Sequence, residues 1–160
     1  MEEYRNVVIN GKSIPDYMIS NYGNVYNKRL NIPVAKKIRK YITVKLTIDS
    51  NIVEEDYNNK SRVKKDFKVH RLVMAAFKPM NEFPPIPIDD WNILPDSAKR
   101  IIEECIYINH IDHDPKNNCI ENLEYATPRE NARKAIIFYK NQRPPEELAQ
   151  AQATNSKFDL

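Results

Sequence analysis

Polar side chains that could hydrolyse a phosphate ester gather between residues 106 and 135. His110 is followed twelve positions later by Asn122 and nine further on by Asn131, and Asn109 stands next to the histidine. Brought together, these residues would place an imidazole beside amide oxygens, a combination suited to a general base working with a divalent cation. A neutral imidazole with a pKa of ~6.5 can accept a proton from water near neutral pH. Amide carbonyls are hard oxygen donors of the kind that Mg²⁺ accepts, and such an ion stabilises charge on a phosphate. Taken singly, each of these residues is more often a satisfied turn or capping residue.

The elements that must position them follow from local pattern. Ile106-Tyr107-Ile108 gives a brief strand, residues 109–121 a long polar loop, and Leu123-Glu124-Tyr125-Ala126 a second strand. Thr127-Pro128-Arg129-Glu130 is a helix start: Thr127 can accept an early backbone N–H, Pro128 fits the first helical position, and Glu130 can reach back. That helix runs to about Lys140, and the Gln-, Ala- and Glu-rich tail, residues 144–160, is expected to be disordered. Upstream, residues 17–27 form a hairpin around Asn21-Tyr22-Gly23-Asn24, and residues 41–48 alternate as a strand with one buried face. Residues 49–65 are expected to be a loop, Phe67 and Val69 to resume a strand, and Arg71–Phe77 to form a short helix. Pro79, Pro84, Pro85 and Pro87 make residues 79–95 an irregular connection, after which Asp96 is expected to cap a helix ending near Glu104.

Composition narrows the function classes. The chain has 160 residues, enough for one core, and no apolar run approaches the ~20 residues of a membrane helix. Its opening, MEEYRNVV, has no apolar stretch of the secretory kind, and an intracellular location is expected. Two cysteines, Cys105 and Cys119, make neither a disulfide framework nor a four-thiolate zinc site, and two glycines exclude Gly-rich phosphate loops. Residues 1–80 hold 16 Lys/Arg against 8 Asp/Glu, whereas residues 81–125 hold 3 against 10. The basic half suits either an anionic partner such as nucleic acid or a plain solvated face, the commoner meaning of a charge run alone, with Lys36, Lys37, Arg39 and Lys40 the densest cluster and Tyr41 beside it.

The string NHIDHDPKNNCIENLEYATPRENARKA, residues 109–135, resembles the HNH endonucleases of the ββα-metal type, close to the pattern NHxDGxxxNNxxxNLExxTxxENxxxA of phage, intron and virus relatives. VHRLVMAAF at residues 69–77 is similar to the segment that precedes the motif in that branch, and IPDYMISNYGNVYNKR at residues 14–29 resembles a NUMOD4 module. The resemblance implies an α+β protein: a small β-rich N-terminal DNA-binding module, residues 1–50, then a ββα-metal (His-Me finger) HNH nuclease module, residues 66–140, with an insertion at about 79–104. It implies a metal-dependent DNA endonuclease, a nickase or a homing enzyme, that hydrolyses phosphodiesters with one divalent ion, Mg²⁺ or Mn²⁺. His110 would be the general base and Asn122 would hold the loop and orient the His110 ring. Asn131 and Asn109 would ligate the metal. Arg71, Arg133 and Lys134 would hold the scissile phosphate, and Lys36, Lys37, Arg39 and Lys40 would contact double-stranded DNA, bound by a monomer. The residue that follows His-x-Asp in the family is glycine, and here it is His113. The rival reading is a non-catalytic DNA-binding protein that keeps the same scaffold.

Overall fold

The computed structural model of the protein describes residues 1–53 and 61–142. Three antiparallel sheets carry the site. Strands β1 (Tyr4–Ile9), β2 (Lys12–Ser20), β3 (Val25–Asn27) and β4 (Ile32–Pro33) form the first, in that order; β5 (Lys36–Ile38), β6 (Ile42–Asp49) and β7 (Arg62–Lys68) form the second. The third pairs β8 (Tyr107–His110) with β9 (Leu123–Ala126). Helix α1 (Val69–Phe77) follows β7 directly, α2 (Ile88–Ile93) and α3 (Asp96–Cys105) lead into β8, and α4 (Pro128–Asn141) follows β9.

The alternation in β6 has the consequence its sequence dictates: Ile42, Val44, Leu46 and Ile48 are buried, while Thr43, Lys45, Thr47 and Asp49 face outward beside Lys68, Asp66, Lys64 and Arg62 of β7. Helix α1 is apolar over most of its circumference. Packed across β1 and against β2, β6 and β7, it buries Val69, Leu72, Val73, Met74, Ala76 and Phe77. The core that results runs from Val7 and Ile19 of the first sheet through Leu46 and Val73 to Leu123 of β9, and so draws on residues both before 50 and after 66. Polar links reinforce the joint between the first two sheets. Thr47 N donates to the buried Tyr17 hydroxyl (3.1 Å), and Arg62 Nη2 donates to Asp16 Oδ2 (2.7 Å) and to the Thr47 carbonyl (3.0 Å).

Several local expectations need correction. β7 begins at Arg62, inside the span read as a loop, because its outward Lys and Asp side chains hide the strand's alternation. α2 lies within the proline-rich connection: Pro87 stands at its N-cap, where no N–H is needed, and Asp89 and Asp90 favour the positive end of the helix dipole. Pro95, not Asp96, occupies the N-cap of α3, and no side-chain cap bond forms there. β1 has no counterpart among the elements expected from the sequence. The expectation of a disordered tail at 144–160 lies outside the described residues. Both cysteines are free, and no helix among the described residues is long and apolar enough to cross a membrane.

Leu123 is fully buried in this shared core. Leu123→Ala should therefore cost about 2–5 kcal/mol in urea unfolding. It should also speed hydrogen exchange at β1 and β2 amides as well as at β8 and β9; loss of protection confined to β8 and β9 would show that the two parts unfold separately.

Candidate active site

The third sheet and α4 bring the predicted residues to one cleft. Asn109 and His110 end β8, whose register pairs Asn109 with Glu124 and His110 with Leu123. Both side chains are buried, at 7% and 6% exposure, so neither is an incidental surface residue. Asn131 is half-buried in the first turn of α4. That turn is held by a reciprocal cap: Thr127 Oγ1 accepts from Glu130 N (3.2 Å), and Glu130 Oε2 accepts from Thr127 N (2.8 Å). Asn109, His110 and Asn131 all line a cleft of about 800 Å³ whose wall also carries Lys40, Lys68 and Arg71.

The ring of His110 is fixed by Asn118, the second asparagine of the NN pair in the family pattern, to which the sequence alone assigns no role. Asn118 Oδ1 lies 3.1 Å from His110 Nε2, and Asn118 Nδ2 donates to the Lys116 carbonyl (3.3 Å), which leaves the amide oxygen to face the ring. An amide oxygen only accepts, so Nε2 carries the hydrogen and Nδ1 keeps the lone pair. Of the two tasks expected of Asn122, its hydrogen bonds perform the first, holding the loop. Its Oδ1 accepts from Asp112 N (3.0 Å), and its Nδ2 donates to Asp112 Oδ1 (2.9 Å) and to the Asn117 carbonyl (2.8 Å). It closes the loop between the two strands and makes no hydrogen bond to the His110 ring, because the strand pairing directs it at the loop backbone. Asp112 also accepts from Asn117 Nδ2 (2.7 Å); burial raises its carboxyl, but the bonds from Asn117 and Asn122 outweigh that and hold it below the usual range.

At the position where the resemblance expects glycine, His113 itself takes the left-handed conformation, with φ of 62°. The steric cost is met locally, since its ring stacks on Phe138 of α4 at 4.0 Å. Asn109 is oriented by the β8–β9 pairing: Nδ2 donates to Glu124 Oε1 (2.7 Å), which also accepts from Lys134 Nζ (2.6 Å). A carboxylate only accepts, so the Asn109 amide is turned with Oδ1 away from Glu124 and open to a ligand role. Burial raises the Glu124 carboxyl, but Lys134 and Asn109 prevail and the net shift is downward. Lys134 is thus engaged beside Asn109 and does not line the main cleft. Arg133 is exposed on α4 and does not line it either. In the basic cluster, Lys36 donates to Asn24 Oδ1 (2.7 Å) and Lys37 pairs with Asp66 (3.1 Å). Lys40 reaches the cleft, and Arg39 is exposed on the hairpin that leads to it.

Two further residues border His110. Tyr41 and His70 pack with it as a ring cluster, His70 edge-on to both neighbours at 5.2 Å between centroids. His70 is 5% exposed, and its Nδ1 is buried without a hydrogen-bond partner among the described residues. The only signal for it in the sequence is its place in the VHRLVMAAF segment, next to Arg71.

Comparison with known proteins gives the site a family context. Residues 100–133 match the HNH endonuclease family. Over 116 residues the chain is 30% identical to "Uncharacterized HNH endonuclease L245" of Acanthamoeba polyphaga mimivirus, a match that covers 72% of this chain and 26% of that protein. The chain therefore spans about a quarter of the viral relative's length. The α+β fold, with its N-terminal strands and C-terminal HNH-like region, is similar to the structure described as "DNA binding and cleavage by the HNH homing endonuclease I-HmuI". That likeness has a TM-score of 0.53 and 20% identity, and covers 96% of this chain and 68% of that one.

His70 generates a prediction. Burial first, then the neighbouring His110, Lys68 and Arg71, push its pKa down to about 3, so it is neutral in the fold. The unfolded chain, with an ordinary histidine pKa of ~6.5, binds this proton first. The contribution is thus complete above that value and is lost as pH falls toward 3. His70→Phe should reduce the slope of unfolding free energy against pH by up to about one proton between those limits. An unchanged slope would show that His70 is protonated in the fold.

Proposed function

We propose that the chain is a metal-dependent DNA endonuclease of the HNH type that hydrolyses phosphodiester bonds. The observation that carries this reading is the convergence of a buried, tautomer-fixed His110 with Asn109 and Asn131 on a cleft rimmed by Lys40, Lys68 and Arg71. In this reading His110 takes a proton from the attacking water at Nδ1, while Asn118 holds Nε2 and keeps the ring from turning. Lys40, Lys68 and Arg71 attract the DNA backbone and hold the scissile phosphate; Arg39, Lys36, Lys37 and Arg133 do not line the cleft, and Lys134 is engaged with Glu124 beside Asn109. The NUMOD4-like strands before residue 50 extend the contact along the duplex.

The donor set at the cleft suits a hard divalent ion held through neutral oxygens. Among the described residues no group of three or more His, Cys, Asp or Glu could hold a metal. Asn109 and Asn131 do line one cleft, and the Asn109 oxygen is left free by the bond of its Nδ2 to Glu124. Such donors fit an ion that keeps most of its waters and is completed by a phosphate oxygen, so Asn109 and Asn131 would hold Mg²⁺ or Mn²⁺ weakly without DNA. When bound, the ion supplies charge stabilisation at the phosphate and at the leaving oxygen. We place the protein inside the cell as a monomer acting on double-stranded DNA.

Two experiments test this reading. Purified protein should nick supercoiled plasmid only with Mg²⁺ or Mn²⁺, and His110→Ala should slow nicking by roughly 10²–10⁴-fold with DNA affinity retained. Retained affinity with no nicking by the unaltered protein would favour the non-catalytic DNA-binding reading. Replacing Lys40 and Arg71 by Ala should flatten the plot of log affinity against log salt by ~0.9 for each DNA phosphate that the variant no longer neutralises. An unchanged slope would remove the cleft rim from the DNA interface.

A further inference from the structure

The turn between β2 and β3 is remote from His110 in sequence and adjacent to its supports in space. It is tightly built: Ser20 is fully buried, its Oγ accepts from Asn24 N (3.0 Å), and Gly23 N donates to the Ser20 carbonyl (2.9 Å). The buried Asn21 side chain accepts from Glu3 N (2.9 Å), and the Asn21 carbonyl accepts from Ile120 N (2.8 Å), which fastens the turn to the loop between β8 and β9. Gly23, at φ +77°, sits where a Cβ would lie 2.8 Å from Val69 Cγ1 and 3.1 Å from Asn118 Cβ. Neither neighbour can easily give way, because Val69 is a short β-branched residue at 0% exposure and Asn118 is at 4%.

Those two neighbours adjoin the His110 ring's supports. Asn118 holds its Nε2, and Val69 precedes His70, the ring packed edge-on to His110. We propose that the Ser20–Asn24 turn is a positioning element of the nuclease site, in which the missing side chain of Gly23 lets Asn118 and Val69 close on the turn and so fixes the tautomer and orientation of His110. The proposal rests on the reading of His110 as the base. It gives the strands before residue 50 a part in catalysis that contact with DNA does not explain.

The test uses the full chain with Gly23→Ala and, as its control, Gly11→Ala. Gly11 has φ +72° but nothing within 4 Å of an added Cβ, so both variants carry the left-handed strain and only one presses on the site. The three histidines of the chain make the imidazole nitrogen resonances assignable, and at pH 8 these separate a ring protonated at Nε2 from one protonated at Nδ1. Gly23→Ala should shift His110 toward a mixture of tautomers and lower kcat for nicking by roughly 10- to 100-fold with KM for DNA unchanged. Gly11→Ala should leave both as they are. In an Asn118→Ala background, itself mixed in tautomer, Gly23→Ala should add far less than it does alone. If Gly23→Ala does not fold, Val69→Ala added to it removes the closest contact while the one on Asn118 stays, and His110 should remain mixed. Equal effects of Gly23→Ala and Gly11→Ala, or a pure Nε2–H signature in every folded Gly23 variant, would overturn the proposal. A chain that never nicks DNA would instead overturn the nuclease reading, since the tautomer measurement does not depend on cleavage.

Discussion

A single hydrogen bond, from His110 Nε2 to Asn118 Oδ1, decides which nitrogen of the imidazole keeps its lone pair. Much of the structure around the cleft acts to keep that bond in place. Asn122 closes the loop that carries Asn118, the Asn21 carbonyl holds the same loop from the first sheet, and Lys78 Nζ donates to the carbonyls of Ile120 and Leu123 at its far end. Tyr125 returns the contact through its hydroxyl to the Lys78 carbonyl (2.8 Å), so the end of α1 and the base of β9 are locked together. A buried polar group with an orienting partner is costly to disturb, and the cleft places several such groups side by side.

What could be read from the sequence was local in origin. The start of α4 is encoded within Thr127–Glu130, and both halves of its cap are present. The alternation of β6 depends on successive side chains pointing to opposite faces, and its four inward residues are buried accordingly. His110, Asn109 and Asn131 stand out by type and spacing before the family resemblance assigns them roles, and they meet at one cleft. Asn118 stands in the family pattern, but its role is not legible there, because a polar residue in a polar loop has no periodicity and its importance lies in which atom it faces. Gly23 was legible as a turn residue, and its φ is positive as the turn requires. That the turn rests against Asn118 is a long-range fact that no neighbouring residue reports. α2 and β1 escaped for a related reason: prolines and outward polar side chains obscure the local pattern, and packing against the rest of the chain decides the outcome.

The charge distribution takes on meaning from this geometry. The excess of Lys and Arg in residues 1–80 is gathered partly on the outward face of β6 and β7 and on the β5–β6 hairpin, whose Lys40 and neighbouring Lys68 reach the cleft. Some of that charge is neutralised inside the protein, as at Lys37 with Asp66 and Arg62 with Asp16. The acidic stretch after α1 contributes Glu103 and Glu104 to the same cleft, so its lining carries both signs of charge. A polyanion entering it would meet Lys40, Lys68 and Arg71 on the side that carries His70 and adjoins His110.

The measurement that bears most directly on the central claim is the chemistry of the cut ends. Labelled duplex incubated with the protein and Mn²⁺ should acquire nicks that DNA ligase reseals without prior end repair, since water activated by His110 and a leaving 3′ oxygen yield a 5′ phosphate and a 3′ hydroxyl, and a chelator should suppress them. Binding of the duplex without any nick, or nicks that form equally with the chelator present, would contradict the account.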